Sequence, residues 1–231
     1  MTSHTVVVFA KAPLPGKVKT RLAASIGAEQ AAAFAEAFID DTCDTVARLD
    51  ARGVVAYAGD PEHPAFVRAR GLGMQLRPQP DGDLGTRLET VLRAEAANAD
   101  TVTAIGADSP TMLPSHFEQS WSALQTHDVV IGPSFDGGYY LLGLTAKILL
   151  SQSAPHPIFD GIDWSTGAVL GQTLRRCRAI GALCELIGFC YDVDTLQDLQ
   201  LLQTHLLEHL RPSGLDVAHN TAILLSKTPS D

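Results

Sequence analysis

Hydrophobic and polar residues along this chain follow two alternating rhythms. Short apolar runs bounded by turn residues read as buried strands at residues 6–10, 54–58, 102–106 and 128–132, with shorter ones at 73–77 and 183–187. Between them, apolar positions recur at helical spacing. Ala31, Phe34, Phe38, Ile39 and Val46 mark a long helix over 27–47. Further helices are predicted over 63–70, from a cap at Asp83 to about residue 97, over 114–125, from a cap at Ser165 or Thr166 to about 178, and over 195–210. A strand at 139–144 follows its predecessor too closely for a helical crossover, so it is predicted to run antiparallel. Strands alternating with helices predict an α/β fold, with a mostly parallel mixed sheet between helical layers. Pro212-Ser213-Gly214 breaks the last helix, which sets a domain of residues 1–211 against a peripheral segment, 212–231.

Composition narrows the function. The chain has 231 residues, 45% of them apolar and 19% charged, which suits a packed core rather than disorder. A net charge of −9 argues against general nucleic-acid binding, which depends on neutralising phosphates. No run approaches the ~20 apolar residues of a membrane span, and the N-terminal apolar run is too short for a signal peptide. The four cysteines, Cys43, Cys177, Cys184 and Cys190, lack CxxC spacing and read as reduced core thiols of a cytoplasmic protein.

Against that acidic background the first strand ends in a cluster of cations. Lys11-Ala12-Pro13-Leu14-Pro15-Gly16-Lys17-Val18-Lys19-Thr20-Arg21 cannot continue a strand or begin a long helix. Ligands of open α/β sheets bind at the carboxyl ends of the strands. A loop there with Lys and Arg charge and free N–H groups suits a polyphosphate. Three acidic clusters each admit two readings. Asp108, in Gly106-Ala107-Asp108-Ser109-Pro110 after a buried strand, fits a metal-holding carboxylate or a turn bonded to its own backbone. Asp136-Gly137-Gly138 fits a ligand-approaching backbone or, more simply, a hairpin. In Asp192-Val193-Asp194-Thr195, either Asp194 or Thr195 fits a cap for the last helix.

Taken in order, these segments resemble the nucleotide-diphospho-sugar transferase superfamily, the glycosyltransferase-A fold. CMP-Kdo synthetases carry a similar Asp-Thr-x-x-Asp-Leu, and molybdenum-cofactor and phospholactate guanylyltransferases a similar Asp-x-Pro. The likeness is strongest to the bacterial radical-SAM/selenodomain-associated transferases. Their Phe-x-Lys-x-Pro-x-Pro-Gly-x-Val-Lys-Thr-Arg-Leu is matched at residues 9–22, their Asp-Gly-Gly-Tyr-Tyr at 136–140 and their Trp-Ser-Thr at 164–166. Their Gln-x-x-Gly-x-Leu-Gly is approached at 79–85. The resemblance spans roughly residues 5–210.

It implies a three-layer α/β/α transferase. The donor would be a nucleoside triphosphate or a nucleotide-diphospho-sugar, and the acceptor a small molecule. Asp108 and Asp194 would ligate one Mg²⁺ or Mn²⁺. Lys19 and Arg21 would stabilise charge on the transferring or departing phosphate. Lys11, Pro15, Gly16, Lys17, Gln79 and Gly85 would join them around the nucleotide. Asp136, Gly137, Gly138, Tyr139 and Trp164 are candidates for the acceptor side, although Trp164 also suits a core position. Tyr139 and Tyr140 alternate across a strand, so at most one faces the site. The first loop lacks the Gly-x-Gly-x-Arg of sugar nucleotidyltransferases, and Ser109-Pro110 stands where many glycosyltransferases complete Asp-x-Asp.

Two other motifs are set aside. Gly16-Lys17-Val18-Lys19-Thr20 lacks both the upstream glycine and the Gly-Lys-Ser/Thr of a P-loop. His205-Leu206-Leu207-Glu208-His209 fits His-x-x-Glu-His, but little chain remains downstream for a third zinc ligand. The functional expectation is therefore nucleotidyl or glycosyl transfer, with a non-catalytic nucleotide sensor as the alternative.

Overall fold

Val6, Val7 and Val8 have no solvent exposure and form the middle of the first strand, β1 (His4–Lys11). Their side chains point alternately to opposite faces, as a pleated strand requires. Val6 and Val8 pack with Ile39, Cys43 and Val46 of α2 (Ala28–Ala47) and Phe66 of α3 (Pro64–Gly71). Val7 packs on the other side with Leu88, Val91 and Leu92 of α4 (Leu84–Ala96). A sheet with both faces covered by helices is the result, as the sequence pattern predicts. The computed structural model describes residues 2–227.

Six more strands complete the sheet: β2 (Arg52–Ala58), β3 (Gln75–Pro78), β4 (Thr101–Gly106), β5 (Val129–Pro133), β6 (Tyr139–Thr145) and β7 (Cys184–Leu186). Their spatial order is β3-β2-β1-β4-β6-β5-β7. Only β6 runs antiparallel, to β4 on one side and β5 on the other, as its short connection requires. The remaining helices are α1 (Thr20–Ile26), α5 (Pro114–Ala123), α6 (Ala146–Ser151), α7 (Val169–Ala179), α8 (Leu196–Thr204) and α9 (His219–Lys227), with a π-helical segment over His205–Leu210.

Several helix boundaries follow the sequence signals. Asp83 caps α4 by accepting from the Thr86 N–H at 2.8 Å, and His63 precedes a helix that starts with proline. The cap expected at Ser165 or Thr166 is not formed, and α7 begins at Val169. Thr166 Oγ1 instead donates to the Asp163 carbonyl at 2.7 Å, and the Leu170 N–H bonds the Gly137 carbonyl at 3.0 Å. The tip of the β5–β6 hairpin thus takes up a free donor of the first helical turn in place of a side-chain cap. Two short helices, α1 and α6, were not expected from the sequence. Their six or seven residues span too few turns for a clear period.

After the break at 212–214, α9 returns to pack Ala222 and Leu225 beside Phe34 and Phe38 of α2 and Leu199 and Leu202 of α8. Buried Asp41 on α2 holds its start, accepting from the Asn220 and Thr221 N–H groups at 2.8 and 2.9 Å. Residues 228–231 of the expected peripheral segment lie outside the described residues. No described helix is long and apolar enough to cross a membrane.

Candidate active site

β1 ends at Lys11 and β4 at Gly106, adjacent strands whose carboxyl ends open on the same side. Above them the 12–19 loop folds back on itself. The Lys17 N–H bonds the Leu14 carbonyl at 3.0 Å, and Lys11 Nζ donates to the Lys17 carbonyl at 3.0 Å. Gly16 takes φ +71°, a backbone that L side chains rarely adopt. Space above it is open: a Cβ there would meet nothing within 4 Å.

Lys19 carries the most unusual geometry in the loop. It precedes α1 with φ 46° and ψ 45°, left-handed for a residue other than glycine. Its side chain does not cap that helix. It is only 5% exposed, and Nζ lies 2.6 Å from Asp108 Oδ1 and 3.0 Å from Asp194 Oδ1. The Phe38 ring lies beneath, its centroid 5.7 Å from the ammonium. Burial alone would lower the Lys19 pKa, but the two carboxylates outweigh it and hold the group charged, above its ordinary value. Arg21, 75% exposed, reaches Asp194 Oδ2 at 3.7 Å.

Backbone pairing brings the two aspartates together. Asp108 follows β4, and its carbonyl accepts from the Val193 N–H at 2.9 Å. The Cys190 N–H bonds the Pro133 carbonyl at 3.1 Å, and Ser134 and Cys190 form a parallel bridge. The 190–194 segment is thereby laid along the ends of β5 and β4. Asp194 does not cap α8. Thr195 does, its hydroxyl accepting from the Asp198 N–H at 3.3 Å while Asp198 Oδ2 accepts from the Thr195 N–H at 2.8 Å. The ambiguity between cap and site residue is resolved in favour of Thr195 as the cap, which leaves the Asp194 carboxylate to Lys19.

This separation of roles makes a prediction. Thr195→Ala should cost about 1 kcal/mol of stability, whereas Asp194→Asn, which keeps an amide oxygen for Lys19 and leaves Asp108 as its counter-charge, should cost less. Equilibrium urea denaturation of both variants checks it. An Asp194→Asn loss as large as that of Thr195→Ala would return the cap to Asp194.

Lys11, Lys17, Lys19, Asp108 and Asp194 line one cleft of about 200 Å³. Pro15, Gly16 and Arg21 lie on the loop and first helical turn, outside its lining. Gln79 ties strands together: its Nε2 donates to the carbonyls of Ala56 at 2.8 Å and Ala10 at 3.3 Å. Gly85 packs under Trp164, where a Cβ would come 2.5 Å from Nε1. Its lack of a side chain therefore serves packing at that contact.

The acceptor-side candidates gather around the β5–β6 hairpin. Asp136 turns into its own loop, accepting from the Gly138 N–H at 2.9 Å and from the Ser134 hydroxyl. Gly137, at φ +89°, meets Gly167 so closely that a Cβ would lie 2.3 Å from its carbonyl oxygen. Tyr139 packs on the α4 side, edge-on to Trp164 at 6.5 Å between ring centroids. Tyr140 points to the opposite face, its hydroxyl donating to the Gly188 carbonyl at 2.9 Å. The two tyrosines thus alternate as a strand dictates.

Asp192, which the sequence offered only as a fallback to Asp194 within the same acidic cluster, receives a 2.5 Å hydrogen bond from the buried Ser109 hydroxyl. Burial pushes the Asp192 carboxyl up to about 6, against the pull of Ser109 and with the help of nearby Asp108 and Asp136. The available signal was its place in the Asp-x-Asp pair before α8. Phe38, under the Lys19 ammonium, gave only its helical period. The His-x-x-Glu-His residues lie in the π-helical segment: His205 and His209 stack at 5.8 Å, and His205 Nδ1 meets the Tyr191 hydroxyl at 2.8 Å. Among the described residues no three His, Cys, Asp or Glu side chains gather as a metal cage.

The fold is shared with known proteins. Residues 42–166, just over half the chain, match the family described as "Uncharacterized protein conserved in bacteria (DUF2064)". That match includes Asp108 and the hairpin but neither the basic loop nor Asp194. No curated protein matches. A structure from Desulfovibrio desulfuricans G20, provisionally described as a nucleotide-diphospho-sugar transferase, is 30% identical over 100% of both chains, with a TM-score of 0.82. At 10% identity, 4-diphosphocytidyl-2C-methyl-D-erythritol synthase from Anaerococcus prevotii DSM 20548 superposes with a TM-score of 0.58, covering 89% of this chain and 99% of that one. CMP:2-keto-3-deoxy-manno-octonic acid synthetase complexed with CTP gives 0.57 at 13% identity, over 90% of this chain and 100% of that one. These last two likenesses establish the fold. The family match and the full-length relative together make this chain a member of that bacterial family, built on the nucleotide-diphospho-sugar transferase fold.

Proposed function

We propose that this protein is a metal-dependent transferase that takes a nucleotide donor, and that its reaction is nucleotidyl transfer to a small-molecule acceptor. The observation that carries this reading is the convergence of Asp108 and Asp194 on a single cationic point in the cleft beneath the basic loop. Two hard oxygen donors from separate segments, 53% and 40% exposed, fit a divalent cation. Phosphate oxygens and water would complete its coordination, which suits Mg²⁺ or Mn²⁺ better than an all-protein cage. When bound, such a cation supplies Lewis-acid neutralisation of the departing diphosphate.

The chain's own groups would do the rest. Lys11, Lys17 and Arg21 would bind the triphosphate through charge-assisted hydrogen bonds. Asp108 and Asp194 would fix the cation, and through it the orientation of the phosphates. An acceptor oxygen attacks the α-phosphorus, the new P–O bond forms, and the bond to the β-phosphate breaks to release pyrophosphate. The fold shared with two cytidine-nucleotide synthetases supports this reading. Glycosyl transfer is the second reading, supported by the description of the 30%-identical relative. There the acceptor hydroxyl attacks the sugar carbon, and a nucleoside diphosphate leaves.

Mass spectrometry of reactions with a panel of nucleoside triphosphates and nucleotide-diphospho-sugars plus Mn²⁺ tests both. Pyrophosphate release supports the first, and nucleoside diphosphate release the second. Tight nucleotide binding without turnover of any donor would leave a sensing protein and sink the enzymatic proposal. A separate expectation concerns the exposed cations. Lys17→Ala and Arg21→Ala should each weaken nucleotide binding by about 1.5–3 kcal/mol, the usual worth of a hydrogen bond to a charged group. Calorimetric titration at fixed salt checks this, and unchanged affinity in both variants would remove the loop from the donor site.

A further inference from the structure

Lys19 stands where the divalent cation of the proposed reaction would have to go. Its ammonium contacts Oδ1 of both Asp108 and Asp194, at 2.6 and 3.0 Å, and its side chain is only 5% exposed. We propose that Lys19 is the resident counter-ion of the carboxylate pair, and that the divalent cation gains the pair as the nucleotide phosphates draw Lys19 away. This inference rests on the nucleotide-and-metal reading above.

The geometry leaves little room for both cations. Mg²⁺ would bind carboxylate oxygens at about 2.0–2.1 Å, and an ammonium on those same two oxygens would be in direct like-charge contact with it. One must yield. Lys19 can do so because its charge sits at the end of a flexible four-carbon stem with three rotatable donors. A polyphosphate entering beside Lys11 and Lys17, which line the same cleft, offers that ammonium a new set of anionic oxygens. Lys19 then leaves one anionic partner for another without an uncompensated charge in between. The left-handed backbone at Lys19, φ 46°, and the Phe38 ring 5.7 Å from Nζ define the starting state from which it moves.

Linkage follows. If the nucleotide removes a competitor from the metal site, nucleotide and metal must each raise the affinity for the other by the same factor. In the free protein the resident ammonium keeps ambient divalent cations off the carboxylates. Lys19 is therefore both a phosphate ligand of the loaded site and the cause of ordered loading.

The test is Mn²⁺ binding to nucleotide-free protein, read from the electron paramagnetic resonance signal of free Mn²⁺. Lys19→Met keeps the length of the stem and removes the charge. It should tighten Mn²⁺ binding by roughly ten- to a hundredfold, because a like charge a few Å away is removed. The mutual enhancement between Mn²⁺ and a non-reacting methylene-bridged triphosphate should fall in the same variant to what direct phosphate ligation of the cation alone provides. Adding Asp108→Asn to either background should abolish the Mn²⁺ site. Equal Mn²⁺ affinities in parent and Lys19→Met, both dependent on Asp108, would overturn the counter-ion role and leave the metal-dependent transferase standing. No Asp108-dependent Mn²⁺ binding in any background, with or without nucleotide, would overturn both. A second measurement needs no variant to fold beyond the one used for assignment: nitrogen-15 spectroscopy of lysine ammonium groups in the parent, with Lys19 assigned by its loss in Lys19→Arg. Its resonance should be that of an ordered, ion-paired group in the free protein and should shift on saturation with Mg²⁺ and the methylene-bridged triphosphate together. A resonance unmoved when Mg²⁺ and that triphosphate are both saturating would also overturn the proposal.

Discussion

Asp108→Asn is expected to remove the metal-dependent part of nucleotide binding almost completely, a loss of about a hundredfold or more. Replacing even a supporting partner around a metal commonly costs ten- to a hundredfold, and a direct ligand should cost at least as much. The amide keeps the size and one oxygen of the carboxylate but brings no negative charge, and hard divalent cations depend on that charge. The fold should survive the change. Asp108 is 53% exposed, and its main structural bond, from the Val193 N–H to its carbonyl, belongs to the backbone. The buried Lys19 ammonium keeps Asp194 as its counter-charge and the new amide oxygen as an acceptor, so the variant should still melt in one cooperative transition. Nucleotide titration with and without Mg²⁺, next to a thermal melt, measures both. A metal enhancement of equal size in parent and variant would mean that the cation is held elsewhere.

Gly137→Ala should be the most damaging of these substitutions to stability. Two costs add there. The backbone lies at φ +89°, which an L side chain resists, and the new Cβ would sit 2.3 Å from the Gly167 carbonyl oxygen and 2.7 Å from its Cα. Both neighbours are backbone, so neither can rotate aside. The shift would also strain the bond from the Leu170 N–H to the Gly137 carbonyl, which holds the start of α7 on the hairpin. A loss of about 2–4 kcal/mol is expected, strain and overpacking together. Gly16→Ala is the control, with φ +71° but open space around it. It should cost only the left-handed backbone penalty of about 1–2 kcal/mol. Urea denaturation of the pair separates clash from conformation. Equal losses would mean that the hairpin tip does not bear on the 164–167 segment as tightly as described.

How far each part was legible depended on the range of the interaction behind it. The hairpin signal in Asp136-Gly137-Gly138 was local and was met by Asp136 bonding its own loop. The cap at Asp83 was equally local, its partner only three residues away. The expected cap before α7 failed because a distant group, the Gly137 carbonyl, took the N–H of Leu170. Gly85 and Gln79 stood out in the motif, but what they touch could not be read from it. One makes room for Trp164 and the other joins the ends of β1 and β2. In both cases the motif marked the position, and only the packing assigned it a role.

The sequence by itself determined the layered α/β architecture, the single antiparallel strand and the basic loop at the end of β1. Periodicity, turn residues and connection length act within a few positions, where the chain's own geometry leaves few choices. Tertiary structure alone decided that Thr195 rather than Asp194 caps α8, that Asp192 is buried against Ser109, and that Lys19 turns inward to both carboxylates instead of outward with Lys17 and Arg21. Lys19 and Asp194 are 175 positions apart, and they meet only because the 190–194 segment is laid along the ends of β5 and β4. A charge written in the sequence has no direction until the backbone that carries its partner has been placed.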